Sequence, residues 1–143
     1  PELLPPNRMP KRGKGGSARG RIALLHALAH IEFAAIDLAF DMAARFGAQF
    51  PRAFVDDWFS VGADEAMHFA ILDRRLRALG SHYGALPAHA GLWEAARATA
   101  DDALARLAVV PMATARSPVA SEATMPWRGS PSCRWHWRRA ALM

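Results

Sequence analysis

The chain has 143 residues and a formal net charge of +5, and 52% of its residues are apolar. This length suits one domain, and this apolar content is enough for a packed core. The uninterrupted apolar runs are too short to predict a transmembrane helix, and the N-terminal stretch has no apolar segment typical of a secretory signal. The single cysteine, Cys133, excludes an internal disulfide, so we expect a cytoplasmic protein that is not embedded in a membrane.

Basic residues are concentrated at the two ends of the chain. Residues 1–21 carry a net charge of +5 and residues 116–143 one of +4, whereas the stretch between them is mildly acidic at −4. Prolines and glycines are frequent at the start, so we predict an extended basic arm over residues 1–18. The simpler interpretation of this arm is a solvated tail; the alternative is electrostatic contact with nucleic acid or another anionic partner.

A first helix is predicted from Arg19 to about Arg45, with Gly47 as its stop signal. Its apolar residues recur with helical spacing, and Glu32 lies at the centre of the stripe that they form. The opposite side of the helix is polar and is expected to face solvent. It carries His26, His30, Asp37 and Asp41.

The second predicted helix repeats this arrangement between Pro51 and Leu79, and Gly80 should end it. Glu65 lies at the centre of its apolar stripe. His68 follows one turn later on the same side, within the sequence DEAMHF. Each of the first two helices therefore places a carboxylate where apolar side chains are expected.

A third helix is predicted from Gly91 to Met112, after a turn-rich connection over residues 80–91. Pro111 should kink or end this helix. The sequence shows no alternating strand pattern and no internal repeat, so the predicted class is all-α, with antiparallel helices packed face to face. Helical periodicity is lost beyond residue 112, and residues 113–143 are predicted to form an irregular basic tail.

Two buried glutamates need compensation, because an unpaired carboxylate in a core is costly or has a strongly raised pKa. An arginine, a shared proton or a cation could supply it, and Arg97 on the apolar side of the third helix is the candidate arginine. A cation accounts for more of the pattern, because Glu65 and His68 offer two ligands one turn apart and Glu32 adds a third. This donor set suits iron, manganese or zinc. The alternative is a buried hydrogen-bonded pair of Glu65 and His68 without a metal.

Four blocks of the sequence are distinctive together: RIALLHALAHIEFAAIDLAFD, AFVDDWFSVGADEAMHF, RLRALGSHYGALPAHAGLWEAA and ARLAVVP. With them, about residues 1–112 resemble a bacterial family of ferritin-like proteins, the DUF455 type. The resemblance implies a ferritin-like bundle similar in plan to di-iron carboxylate proteins, whose two carboxylate-bridged irons activate dioxygen. By this resemblance, Glu32 is the glutamate ligand of the first helix, and Glu65 and His68 are the ligand pair of the second.

The sequence departs from this family after residue 112, where a further glutamate and a fourth helix with a second Glu-x-x-His would be expected. We therefore predict a partial bundle of about three helices over residues 19–112 that carries half of a di-metal site of oxidoreductase type. Residues 113–143 are interpreted as the product of a shifted reading frame. A single chain would be inactive or impaired, and an exposed helical groove predicts a homodimer.

Whether the chain is an enzyme stays open at the level of the sequence. The alternative to a metal-dependent oxidoreductase is a non-catalytic helical module that binds nucleic acid or another anionic partner through its basic arm.

Overall fold

A computed structural model describes residues 1–10 and 17–115, with side chains up to residue 109 in the last helix. The regular structure within these residues is entirely helical, which confirms the predicted all-α class. Four α-helices follow one another along the chain: α1 Ala18–Phe46, α2 Arg52–Ala78, α3 Gly91–Ala98 and α4 Ala103–Ala115. Two short 3-10 turns, Pro6–Arg8 and Gly47–Gln49, complete the described elements.

Helices α1 and α2 form an antiparallel hairpin, the largest packing unit of the described residues. Three neighbouring pairs set its register: the rings of Phe33 and Phe69 pack together, Phe40 lies over Gly62, and Gly47 lies against Val55. Each step toward the end of α1 is matched by a step toward the start of α2, as an antiparallel arrangement requires.

The ends of both long helices follow from local chemistry. The Ser17 side chain accepts a hydrogen bond from the backbone N–H of Gly20 and so caps the start of α1. Gly47 is the C-cap of α1, as predicted. Gly80 follows α2 with a φ of +75°, a left-handed conformation that glycine adopts without the penalty of a Cβ atom.

The hydrophobic core lies at the closed end of the hairpin, where α4 covers it. Its buried members are Ala39, Met42, Ala43, Phe46, Trp58 and Ala103. Partly buried residues that pack around them include Phe50, Phe54 and Leu107. Burial of these side chains supplies the main stabilising free energy of this region.

The prediction of a single third helix is wrong, because the helix is interrupted between Thr99 and Asp102 and two shorter helices form instead. The Asp102 carboxylate accepts hydrogen bonds from the backbone N–H groups of Leu104 and Ala105, so it caps a new helix. Pro111 does not end this helix, which continues to Ala115. Beyond this break, Leu104 of α4 is 73% exposed.

A buried arginine packs against α1 on a side that the sequence predicted to be exposed. Arg106 of α4 is 3% exposed and its guanidinium lies 2.7 Å from the Asp41 carboxylate. The prediction that Asp41 points to solvent is therefore wrong, since α4 packs on that side of α1. The candidate arginine Arg97 is exposed instead.

The loop between α2 and α3 folds back onto α1 and corrects two further predictions. His26 is 1% exposed, and its Nε2 accepts hydrogen bonds from the backbone N–H groups of Gly84 and Leu86. His30 is half-buried under the same loop. Both were expected to face solvent, because the sequence periodicity identifies only the stripe that contacts α2 and gives no sign of a loop on the other side.

Part of the predicted arm is also held in place. The backbone of Glu2 and Leu4 is hydrogen-bonded to Ala88 in the loop. Residues 11–16 lie outside the described residues, as does the tail from residue 116 onward. The reading-frame interpretation of residues 113–143 therefore stays a prediction.

Within the described residues, one helical segment, Ala18–Gln49, is long and apolar enough by length and composition to cross a membrane. A core helix of a soluble protein can pass the same test. Here the segment packs along α2 and carries Glu32 at their contact. The cytoplasmic location stays a prediction.

Candidate metal centre

The three residues singled out as metal ligands lie together in the folded chain. Glu32, Glu65 and His68 each offer one ligand atom, and these atoms all lie within 4.8 Å of one another. The Nδ1 atom of His68 is 3.0 Å from Oε2 of Glu65 and 3.7 Å from Oε2 of Glu32. The cluster therefore spans the contact between α1 and α2.

Helix geometry and hairpin register together produce this cluster. Glu65 and His68 are three residues apart on α2, so their side chains leave the helix on the same side. The antiparallel register places Glu32 opposite them, beside the packed rings of Phe33 and Phe69. The first relation is encoded locally, whereas the second depends on how the two helices dock.

The cluster is largely removed from water but keeps one accessible edge. The side chains of Glu65, Glu32 and His68 are 11%, 20% and 29% exposed, respectively. Burial raises the pKa of Glu32 to about 9, and a hydrogen bond to Glu65 and the negative charge of Glu65 act in the same direction. Without a metal ion, Glu32 therefore keeps its proton at neutral pH and shares it with Glu65.

An arginine, a shared proton or a cation could compensate the two buried carboxyl groups. Within the described part of the chain, the ion pairs that reach Glu32 and Glu65 both come from His68. The buried guanidinium of Arg106 binds Asp41 and two groups at the end of α3 instead. Compensation by arginine is therefore not what the structure shows.

Three states remain open for the cluster: a proton shared by the two carboxyl groups, a bound metal ion, and the pair of Glu65 and His68 without a metal, whose hydrogen bond of 3.0 Å is present. Two carboxylate oxygens and one imidazole nitrogen form a donor set that suits iron, manganese or zinc. A divalent ion would favour the ionised form of Glu32 and so replace the shared proton. The residues present thus fit one metal ion with three protein ligands, which leaves further coordination positions for other donors.

Sequence reasoning missed the residues that cover the neighbouring surface of the hairpin. Tyr83 in the α2–α3 loop packs against Phe33 and Phe69, and its hydroxyl is hydrogen-bonded to His30. Two histidines four residues apart on α1 were the available signal, since this spacing places His26 and His30 on one side of the helix. The signal is weak without knowledge of what that side contacts.

Over residues 1–10 and 17–115, the structure is all-helical and contains a candidate metal site made of two carboxylates and an imidazole. The chain belongs to the DUF455 family, described as a protein family of unknown function, whose model matches residues 1–116. An uncharacterized protein from Haemophilus influenzae (strain ATCC 51907 / DSM 11121 / KW20 / Rd) is 46% identical over 117 residues. The alignment covers 78% of this chain and 40% of that protein, so the chain spans about two fifths of its relative's length. No solved structure matches the chain.

Proposed function

We propose that this chain carries the metal-binding helices of a ferritin-like, iron-dependent oxidoreductase, with Glu32, Glu65 and His68 as the ligands. One observation carries the proposal: two largely buried carboxyl groups on facing helices share a single imidazole, with all three ligand atoms within 4.8 Å. A structural core gains little from such a group, because desolvation of carboxylates is unfavourable. A bound cation would offset this unfavourable desolvation.

Each ligand has a distinct part in this proposal. Glu32 and Glu65 neutralise a divalent ion, and His68 adds a softer nitrogen donor that favours transition metals over magnesium or calcium. Because both carboxyl groups are largely buried, few water molecules can compete with the metal ion for them. A bound iron would supply one-electron redox chemistry and an affinity for dioxygen.

The three ligands form half of a di-metal site, and a second half has to come from other residues. A second copy of the chain, related by a two-fold axis, would bring an identical set of donors to the exposed edge of the cluster. We therefore include a homodimer in the proposal, with weak or no activity for the isolated single chain.

Metal analysis tests the proposal directly. The purified protein is loaded with Fe(II) under anaerobic conditions, freed of excess metal and measured by elemental analysis. We expect about one ion per chain, and loss of that ion in Glu65→Gln, which keeps the side-chain shape but removes the charge. The matched control is Glu94→Gln, because Glu94 is exposed on α3 away from the cluster. Equal iron in both variants, or none in the wild type, would refute the proposal.

A further inference from the structure

Tyr83 is fixed against the hairpin by contacts to both long helices. Its hydroxyl lies 2.9 Å from Nδ1 of His30 on α1. Its backbone N–H donates to the carboxylate of Asp73 on α2 at 3.0 Å. The phenol ring packs on Phe33 of α1 and on Phe69 of α2, with ring centroids 5.4 and 5.0 Å away. The orientation of the hydroxyl is therefore set from several directions.

The second nitrogen of His30 determines the direction of the hydrogen bond to Tyr83. Nε2 of His30 lies 3.1 Å from the backbone carbonyl oxygen of His89. A carbonyl oxygen only accepts, so Nε2 of His30 carries the hydrogen in this contact. Nδ1 of the neutral ring is then an acceptor, and the Tyr83 hydroxyl donates to it. The phenol O–H thus points at a base.

Two phenylalanines link this phenol–imidazole pair to the helices that carry the candidate metal ligands. Phe33, which Tyr83 contacts, directly follows Glu32 in the chain, and Phe69 directly follows His68. The phenol ring therefore touches the immediate sequence neighbour of a ligand on each of the two helices. His26 extends the aromatic contacts on the other side, with its ring stacked on Tyr83 at 5.4 Å.

We propose that Tyr83 and His30 form a redox-active pair that delivers one electron to the neighbouring metal centre. A one-electron oxidant takes an electron from the phenol, the O–H bond breaks, and the proton goes to Nδ1 of His30. The products are a neutral tyrosyl radical, a protonated imidazole and the oxidant reduced by one electron. In the protein the oxidant is the oxidised metal ion at the Glu32 cluster, and this part alone rests on the proposed function.

The hydrogen bond is what makes the pair suited to this reaction. Oxidation without proton transfer would leave a cationic phenol in half-buried aromatic surroundings, which is unfavourable. A base already in hydrogen-bond contact removes that charge as it forms. The half-buried ring is also within reach of a soluble oxidant, so the pair can be tested without a metal ion.

Flash photolysis of the full chain with a soluble ruthenium photosensitiser and an electron acceptor tests the pair. Tyr83 is the only tyrosine of the chain, so a tyrosyl signal in absorption and electron paramagnetic resonance is unambiguous. We expect this signal in the metal-free wild type and its loss in Tyr83→Phe. His30→Gln should slow radical formation about a hundredfold, the lower range for a well-placed base. His82→Gln is the matched control, because His82 is the exposed histidine preceding Tyr83, and it should leave the rate unchanged.

Two results would overturn the pair: a radical confined to tryptophan, or equal rates in His30→Gln and the wild type. If circular dichroism shows that His30→Gln does not fold, the rate of radical formation in the wild type is compared in H2O and D2O. Proton transfer coupled to oxidation must make this rate slower in D2O, and equal rates would overturn the pair. Metal content separates this inference from the proposed function. Tyr83→Phe should bind as much iron as the wild type. A wild type that binds no iron after anaerobic loading with Fe(II), but still forms the radical, would refute the metal site and the electron delivery and leave the redox pair standing.

Discussion

Arg106 and Asp41 form an ion pair that fastens α4 to α1, with 2.7 Å between the guanidinium and the carboxylate. The guanidinium also donates to Thr99 and to the carbonyl oxygen of Ala96, so it ties the end of α3 to the same point. Burial alone would raise the pKa of Asp41, but hydrogen bonds and charge from Arg45 and Arg106 hold that pKa below its usual value. This contact determines how the short helices cover the hairpin.

Removal of one partner of this ion pair should destabilise the protein strongly. Asp41→Asn leaves the buried Arg106 without its counter-charge, and we expect a loss of about 3 kcal/mol in the free energy of unfolding. Urea denaturation at pH 7 measures it. Asp56→Asn is the matched control, because Asp56 pairs with Arg52 and both side chains are more than half exposed. It should cost less than about 1 kcal/mol, and similar losses in both variants would contradict the structural role of Arg106.

The metal-free protein should lose stability as the pH rises toward 9. The pKa of Glu32 is raised from 4.5 to about 9 in the folded state. Its contribution to stability is therefore complete below pH 4.5 and is lost as the pH rises through the folded pKa. Urea midpoints between pH 7 and 9 measure the effect, in a range where histidines with lowered pKa values stay neutral. The slope should reach at most about 1.4 kcal/mol per pH unit.

Glu32→Gln is the control for this pH dependence. The amide has no titrating proton, so its stability should be flat over the same range. Saturating Fe(II) should flatten the slope in the wild type, because the metal-bound Glu32 is ionised in the folded state as it is in the unfolded chain above pH 4.5. A wild-type curve parallel to that of Glu32→Gln would show that Glu32 does not titrate in this environment.

His26 should stabilise the loop as a hydrogen-bond acceptor, and protonation of its ring in acid should remove this stabilisation. Burial, followed by the nearby positive charges of His30, the N-terminus and His82, lowers the pKa of His26 from 6.5. The stability that depends on its neutral form is therefore complete above pH 6.5 and is lost as the pH falls through the lower, folded pKa. His26→Ala should cost at least about 2 kcal/mol at pH 7, because the N–H groups of Gly84 and Leu86 lose their acceptor.

Thermal and urea unfolding from pH 7 to 5 check the role of His26. The acid-dependent loss should be smaller in His26→Ala than in the wild type. His82→Ala serves as the comparison, because His82 is exposed on the same loop, and it should unfold like the wild type at pH 7. If both alanine variants are equally stable, the two hydrogen bonds of His26 contribute nothing measurable.

The proposed homodimer should form through the exposed edge of α2 beside the metal cluster. Met67 and Ile71 are 54% and 42% exposed there, and they flank His68 in sequence. We expect a dimer in analytical ultracentrifugation at micromolar concentration. Ile71→Glu should weaken it at least about tenfold, as expected when a charge replaces a buried aliphatic side chain.

Leu104→Glu is the control for nonspecific hydrophobic association, because Leu104 is 73% exposed on α4, away from the proposed interface. It should leave the dimer intact. A monomer at every concentration, or equal weakening by both variants, would rule out this edge of α2 as the dimer interface.

The candidate site was predictable to the extent that it depends on helix periodicity. The spacing of Glu65 and His68 is a property of one helix, and Glu32 stood out because a carboxylate occupied the centre of an apolar stripe. Their meeting needed only the two stripes to face each other. The contacts of Tyr83 were not predictable in this way, because a loop of twelve residues can fold onto many surfaces.

The sequence by itself determined the two long helices, their ends and the side on which each buries apolar residues. These properties arise from interactions between residues a few positions apart, such as the cap at Ser17 and the glycine at position 80. Only the tertiary structure decided which other sides of α1 are covered. His26 and Asp41 lie where a periodicity analysis expects water, yet a loop and a fourth helix bring backbone N–H groups and the Arg106 guanidinium to meet them. A polar side chain is buried only when its hydrogen-bond partners arrive from distant parts of the chain, and local sequence carries no record of them.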